Sequence, residues 1–215
     1  MRIHSNDILG LILAGGQNRR MGDQLTKWQL PLDGKPLLEH IVESLRPQVT
    51  EIILNGSNSA LKHYPYTVIE DIGVKDQGPL AGLLAGLLYA REHDYSWLVS
   101  CPCDSPFIPH NYVTALSQSI VNEQQHCSIA SSKGRRHPVF GLWSVKLIKP
   151  LRHTLSHSNL RSIGVWANQL QPPAAIVDFS LDIIDGEATA NSNAFFNINT
   201  IVEWYEAQAR YAKRS

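Results

Sequence analysis

The feature that most constrains the fold is an alternation of short apolar runs with helical patterns in the first half of the chain. Residues 8–14 are apolar without interruption, which predicts a strand covered on both faces of a sheet. Similar runs follow at residues 51–55, 66–69 and 97–101. Strands of this kind are typical of parallel sheets, so the pattern favours an α/β protein over an all-helical or all-β one.

The segments between these runs carry apolar residues at helical spacing. One helix is predicted to begin at Pro36 and to end before Pro47, a second to begin at Pro79, and a third to cover residues 111–124. Strand–helix–strand connections specify right-handed crossovers, with helices on both faces of a parallel sheet. We therefore predict a three-layer α/β/α, Rossmann-like fold that binds ligands beyond the carboxyl ends of its strands.

After residue 125 the alternation loosens. Strands are predicted at residues 128–130, 139–143, 175–179 and 195–198, and helices at residues 145–155, 160–167 and 201–214. The turn-forming residues 131–134 separate the first two strands, which predicts a small antiparallel extension of a mostly parallel sheet. Since the sequence contains no linker or repeat, residues 1–215 are predicted to form a single domain.

Composition excludes several classes of partner. Nineteen Lys and Arg residues balance nineteen Asp and Glu residues, so no overall positive field is present to hold a nucleic acid. The apolar run at residues 79–90 is too short to cross a membrane. Cys101, Cys103 and Cys127 are an odd set, interpreted as buried free thiols rather than as metal ligands. A cytoplasmic protein is expected.

A loop rich in glycine and arginine follows the first strand. Residues 13–22 include Arg19 and Arg20, and Lys27 comes shortly afterwards. Glycines let backbone N–H groups turn toward an anion, and guanidinium groups match phosphate oxygens. The spacing fits neither the dinucleotide fingerprint nor a Walker A loop. The pattern favours a phosphate-binding loop, and the alternative is a surface loop with solvated arginines.

Several further motifs occur in the order found in one enzyme family. They are PLDGKPL at 31–37, VIED at 68–71, GPLAG at 78–82, CPCDSP at 101–106, HP at 137–138 and FNINT at 196–200. With the loop at residues 13–22 they span essentially the whole chain, which resembles the molybdenum cofactor guanylyltransferases of the nucleotidyltransferase superfamily. The resemblance implies transfer of GMP from GTP to molybdopterin carrying molybdenum, yielding the guanine dinucleotide cofactor and pyrophosphate.

Asp104 is the main candidate for a catalytic metal ligand. It closely follows the strand at residues 97–101, where a carboxylate can hold Mg²⁺ against phosphate oxygens, although a turn or helix cap is the alternative. The resemblance implies that Asn197 or Asn199 supplies a second oxygen, and that Lys27 and Arg19 neutralise the triphosphate. An Asp usually precedes this lysine in the family, whereas Thr26 stands here, which leaves the register of the loop at residues 22–27 open.

The resemblance also distributes residues between the two substrates. The nucleotide-binding set comprises Leu13, Ala14, Gly15, Lys27, Asn55, Asp71, Gly82 and Asp104. The set for the anionic pterin comprises Arg135, Arg136, His137 and Arg161. The expected cofactor is Mg²⁺, and the expected partners are GTP, molybdopterin, and proteins that deliver the pterin or accept the product. Two alternatives stay open, namely a sibling that uses CTP or a sugar phosphate, and a catalytically silent nucleotide-binding module.

Overall fold

The computed structural model describes residues 3–15, 26–57, 59–72, 78–184, 187–191 and 193–213, with residues 182–184 and 187–190 described by their backbone alone. The strands are β1 (Ile8–Leu13), β2 (Pro31–Leu32), β3 (Lys35–Pro36), β4 (Glu51–Asn55), β5 (Thr67–Ile69), β6 (Trp97–Pro102), β7 (Cys127–Ser132), β8 (Arg135–Ser144), β9 (Ala175–Asp178), β10 (Leu181–Ile184) and β11 (Glu187–Ala190). The α-helices are α1 (Leu37–Leu45), α2 (Pro79–Glu92), α3 (Tyr112–Gln118), α4 (Ile148–His157), α5 (Ile163–Ala167) and α6 (Ile201–Ala212).

The main sheet of the described residues has seven strands in the order β5-β4-β1-β6-β8-β7-β9. β1 pairs in parallel with both β4 and β6, and β5 extends the sheet in parallel beyond β4. β8 runs antiparallel to its neighbours β6 and β7, and β9 is parallel to β7. This confirms the predicted Rossmann-like, mostly parallel sheet with an antiparallel part.

The unbroken apolar run of β1 is explained by burial on both faces. Ile8 and Ile12 pack into the core that contains the apolar stripe of α1, whereas Leu9, Leu11 and Leu13 pack into the core that contains α2. Each of these side chains is buried, and full burial of one such side chain contributes about 1.5–3 kcal/mol. The two cores therefore hold the carboxyl end of β1 in a fixed position at the centre of the sheet.

The structure differs from the prediction at α3, at residues 195–198 and in two short two-stranded sheets. α3 ends at Gln118 rather than at residue 124, because the Asn122 side chain accepts hydrogen bonds from the N–H groups of Gln124 and Gln125 and forms a turn. Residues 195–198 are not a strand, because Phe195 has a φ of 59° and its N–H bonds to the Phe107 carbonyl. The structure also has two two-stranded antiparallel sheets that were not predicted, one of β2 and β3 and one of β10 and β11.

The remaining elements agree with their predictions more closely. The C-terminal helix α6 begins after Thr200, whose hydroxyl accepts a hydrogen bond from Glu203 N–H. Cys101, Cys103 and Cys127 are buried free thiols, as expected. Over the part of the chain that the structure describes, no helix is long and apolar enough to cross a membrane.

Candidate active site

A cleft of about 800 Å³ opens beside the carboxyl ends of β1 and β6. The parallel strands direct their last residues toward it, and the antiparallel strand β8 contributes its first residues, which extend past the end of β6. It is lined in part by Leu13, Gly15, Cys103, Asp104, Arg135, Arg136, His137, Phe195, Phe196, Asn197, Asn199, Glu203 and Arg210. Most of the side chains singled out from the sequence therefore face one space.

Three predicted residues meet at the edge of this cleft. Lys27 Nζ lies 3.1 Å from Asp104 Oδ2 and also donates a hydrogen bond to Asn199 Oδ1. The side chains of Lys27 and Asp104 are only 24% and 13% exposed, so this ion pair is partly shielded from solvent. The arrangement concentrates one positive charge between a carboxylate oxygen and an amide oxygen.

Local structure fixes Lys27 and Asp104 from opposite sides. Lys27 begins a single 3₁₀ turn that is capped reciprocally by Thr26 and Gln29, and the buried indole of Trp28 anchors that turn in the core. Asp104 follows β6, whose hydrogen bonding to β1 continues through Cys103 N–H to the Leu13 carbonyl at 3.1 Å. Both side chains are therefore held by the core.

Asn199 is held by the start of α6. The Glu203 carboxylate accepts hydrogen bonds from the N–H groups of Asn199 and Thr200, both at 2.8 Å. Partial burial raises the pKa of Glu203, but these hydrogen bonds and the Thr200 hydroxyl outweigh it and leave the pKa below its usual value. Glu203 is therefore ionised at neutral pH and completes a capping box.

The donor set of this corner fits a hard divalent cation. The described residues contain no cluster of three or more His, Cys, Asp or Glu side chains, so a complete protein cage is not formed there. Mg²⁺ is usually bound by one or two protein oxygens together with phosphates and waters. Asp104 and Asn199 already place two such oxygens around the Lys27 ammonium. Asn197, the other predicted candidate, lies exposed on the cleft wall.

A second group of predicted residues lies at the ends of β4 and β5, next to β1. Asn55 Nδ2 donates a hydrogen bond to Asp71 Oδ1 at 3.0 Å, and the Asn55 side chain is almost completely buried. Ala14 N–H bonds to the Asn55 carbonyl at 2.8 Å. A Cβ at Gly82 would lie 2.2 Å from Asn55 Oδ1, so Gly82 leaves room for this amide.

One wall of the cleft is basic and aromatic. Arg135, Arg136 and His137 begin β8, and Arg136 Nη1 donates to Asn168 Oδ1 at 3.2 Å. Burial, together with the nearby charge of Arg135, lowers the pKa of His137 below its usual value. The ring of His137 is therefore neutral at neutral pH, and it follows two arginines, whose guanidinium groups stay protonated in proteins.

Arg161 is not among the residues that line this cleft, and Arg19 lies outside the residues that the structure describes. Arg161 is exposed and lies beside Gly78, with its Cβ 3.2 Å from the position a Cβ would take on that glycine. Arg19 belongs to residues 16–25, which lie outside the described residues. The phosphate-loop prediction for residues 13–22 is therefore represented in the structure only by its first three residues.

The sequence reasoning missed three charged residues of the cleft, Lys133, Glu203 and Arg210. Arg210 lies with its guanidinium carbon 4.2 Å from the centre of the Phe196 ring and donates to Asn193 Oδ1. The Thr200-x-x-Glu203 capping box signals a helix start but does not reveal the neighbouring cleft. Arg210 lies within α6 and has no local motif that would mark it.

Comparisons with known proteins identify the family and the fold of the chain. The family model described as the MobA-like NTP transferase domain matches residues 10–170. In fold, the chain is similar to the molybdopterin-guanine dinucleotide biosynthesis protein A of Archaeoglobus fulgidus, with a TM-score of 0.71 at 21% identity, covering 95% of this chain and 99% of that one. The family model makes the chain a nucleotidyltransferase of the MobA-like class, and its fold agrees with that class.

Relatives in sequence identify one family within the nucleotidyltransferases. The molybdenum cofactor guanylyltransferase of Bradyrhizobium sp. (strain ORS 278) is 34% identical over 203 residues, which cover 93% of this chain and 91% of the relative. The protein of the same name from Cupriavidus pinatubonensis is 35% identical over 208 residues, covering 94% and 96%. The chain belongs to the molybdenum cofactor guanylyltransferase family, within the MobA-like NTP transferases.

Proposed function

We propose that this protein transfers the GMP unit of GTP to the terminal phosphate of molybdopterin carrying molybdenum. The observation that supports this most strongly is the group of Lys27, Asp104 and Asn199 at the strand ends. It lies in a chain that is 34% identical, over nine-tenths of its length, to a protein named for this activity. Positive charge and metal-binding oxygens are what a triphosphate requires at the reacting phosphorus.

Mg²⁺ is the proposed cofactor, held by Asp104 and Asn199. When bound, it neutralises charge on the phosphate oxygens of GTP and of the departing pyrophosphate. Lys27, which contacts both oxygens, supplies a second positive charge at the same corner. Arg19, in the segment outside the described residues, is proposed to act beside Lys27 on the triphosphate.

The nucleotide is proposed to lie across the carboxyl end of β1. Leu13 and Gly15 border the cleft, so the backbone from Leu13 to Gly15 would pass beside the sugar or base. Asn55 orients the Asp71 carboxylate, which can accept hydrogen bonds from the N1–H and N2–H₂ groups of guanine. Cytosine does not present that pair of donors, which gives this pair of residues a role in base selection.

The second substrate is proposed to bind along the wall formed by Arg135, Arg136 and His137. The arginines would pair with its phosphate, because guanidinium groups bind phosphate oxygens in a bidentate manner. The neutral ring of His137, which shares a hydrogen bond with Ser132 Oγ at 2.8 Å, offers a flat surface toward the pterin. This wall and Asp104 line the same cleft. Arg161 is kept as a fourth, more distant candidate.

In this arrangement the reaction is a single displacement. An oxygen of the pterin phosphate forms a new bond to the α-phosphorus of GTP, and the bond between the α- and β-phosphates breaks. Pyrophosphate leaves with the negative charge, near Lys27. No side chain has to form a covalent intermediate, so positioning and electrostatic stabilisation supply the catalysis.

The cellular setting is proposed on the same grounds. Three buried free cysteines suit a reducing compartment, which supports a cytoplasmic location. Proteins that deliver the labile pterin and that accept the product are proposed as partners.

The test is a product assay with purified protein, molybdenum-loaded molybdopterin and each nucleoside triphosphate in turn. We expect pyrophosphate and the guanine dinucleotide cofactor with GTP, and no dinucleotide without the pterin. If product forms with CTP but not with GTP, the assignment of guanine as the base is wrong, while the proposed transfer reaction still holds. Nucleotide binding without any product would favour a silent nucleotide-binding module instead.

A further inference from the structure

We propose that Glu203 is a positioning residue that holds Asn199 against Asp104 and so controls how strongly a metal contributes to nucleotide binding. This inference rests on the proposed function, because it assumes that Asp104 and Asn199 share a cation. Glu203 acts through Asn199 and makes no contact with substrate in this account. Glu203 is not among the site residues predicted from the sequence.

The first observation is the number of groups that one carboxylate oxygen serves. Glu203 Oε2 accepts hydrogen bonds from Asn199 N–H at 2.8 Å, from Thr200 N–H at 2.8 Å and from the Thr200 hydroxyl at 3.0 Å. An ordinary capping box requires only the bond to the N-cap residue, which is Thr200 here. The additional bond reaches the residue before the cap, and that residue carries the candidate metal-binding amide.

The second observation is that the other side of Asn199 is tied to Asp104 itself. Ile198 N–H donates to the Asp104 carbonyl at 2.9 Å, and the Ile198 side chain is fully buried. Asn199 is therefore fixed by hydrogen bonds on its own N–H group and on the N–H groups of both neighbours. Glu203 supplies two of these three bonds.

These contacts restrict where the Asn199 amide can point. Its Oδ1 accepts from Lys27 Nζ, which also lies 3.1 Å from Asp104 Oδ2. Release of Asn199 N–H would let the segment rotate and move Oδ1 away from the carboxylate. Groups that orient metal-binding residues in this way commonly change metal affinity by about 10-fold or more when they are removed.

Two substitutions separate position from charge. Glu203→Gln removes the charge but keeps an oxygen at the same distance, since Gln also forms a capping box. Glu203→Asp keeps the charge but is shorter by one methylene, so it no longer reaches Asn199 N–H. Thr200→Ala is the matched control, because it removes the hydroxyl contacts of the helix cap and leaves both N–H bonds to Glu203.

The measurement is the affinity of the full-length protein for GTP with and without Mn²⁺, by titration calorimetry under conditions without pterin. The Kd for GTP without Mn²⁺, divided by the Kd with Mn²⁺, reports the contribution of the metal, and a larger ratio means a larger contribution. We expect Glu203→Asp to lower this ratio by about 10-fold, and Glu203→Gln to keep it within about two-fold of wild type. Thr200→Ala should lower the melting temperature without changing the ratio.

Each other result overturns the inference. A wild-type ratio in Glu203→Asp would show that the contact to Asn199 is not needed. A loss in Glu203→Gln equal to that in Glu203→Asp would show that charge, not position, matters. An equal loss in Thr200→Ala would show a general loosening of the helix start. If the wild-type ratio is already near one, or is unchanged in Asp104→Ala, the metal site of the proposed function fails first.

Discussion

At the scale of single residues, the candidate site is arranged around the positive charge of Lys27. The Lys27 ammonium contacts both Asp104 and Asn199, and the pair is partly shielded from solvent. A partly buried carboxylate without a partner would be costly, so this lysine stabilises the site as well as preparing it for phosphates. The same three side chains therefore serve folding and binding.

Because Lys27 contacts both Asp104 and Asn199, we expect removal of its charge to cause a large loss of activity. Lys27→Met should lower the rate of pyrophosphate release by about 100-fold, because a positive charge facing the leaving group is lost. Lys35→Met is the matched control, since Lys35 is an exposed lysine paired with Glu43 outside the cleft, and it should retain wild-type activity. A decrease of only a few-fold in Lys27→Met would contradict the role given to this residue.

The lowered pKa of His137 predicts how the free energy of unfolding depends on pH. Burial and the charge of Arg135 lower its pKa in the folded protein, whereas in the unfolded chain the pKa is about 6.5. Below about pH 6.5 the unfolded chain therefore binds more protons, and the free energy of unfolding decreases as the pH falls. The melting temperature of His137→Asn should fall less than that of wild type between pH 7.5 and 5.5.

The control for this experiment is His110→Asn, at an exposed position. We expect it to follow the wild-type pH profile. A wild-type profile in His137→Asn as well would show that protonation of His137 does not oppose folding.

At the scale of elements, the site depends on how closely α2 packs on the sheet. Gly82 and Gly86 lie one turn apart on this helix, and both face the sheet without room for a Cβ. At Gly82 the nearest atom is Asn55 Oδ1, whereas at Gly86 it is Leu11 Cδ2. One glycine thus makes room for a polar group of the site, and the other for the core.

This difference predicts distinct effects of two similar substitutions. Gly82→Ala should displace the Asn55 amide from Asp71 and raise the Kd for GTP by roughly 10-fold, the cost of a lost hydrogen bond to a charged group. Gly86→Ala should lower the free energy of unfolding by about 1–3 kcal/mol through overpacking, with GTP affinity unchanged. Equal GTP affinity in the two folded variants would contradict the role assigned to Gly82.

The elements that were predicted correctly are those whose patterns are set by burial. β1, β4, β6, α1 and α2 show continuous or helical apolar runs because they pack in the two cores. The run at residues 195–198 looks the same, yet Phe195 adopts a φ of 59° and bonds to the Phe107 carbonyl. A tertiary contact of this kind leaves no periodic signal in the sequence, so the strand prediction there was wrong.

At the scale of the whole molecule, the site exists only in the folded chain. Lys27, Asp104 and Asn199 come from the first, middle and last parts of the sequence and meet where β1 and β6 end. The alternating pattern predicted that strand ends would gather polar residues, and the family resemblance supplied their identities. Neither could show which asparagine contacts Lys27 beside Asp104, because that depends on the start of α6 and on Glu203.

The most direct test of this account is the position of the metal in a crystal of the protein with GTP and Mn²⁺. Anomalous diffraction at the manganese edge should give a peak bonded to Asp104 and Asn199 oxygens and to phosphate oxygens of the nucleotide, with Lys27 beside the triphosphate. A peak elsewhere in the cleft, with Asp104 still paired only to Lys27, would contradict the proposed metal site and the reaction built on it.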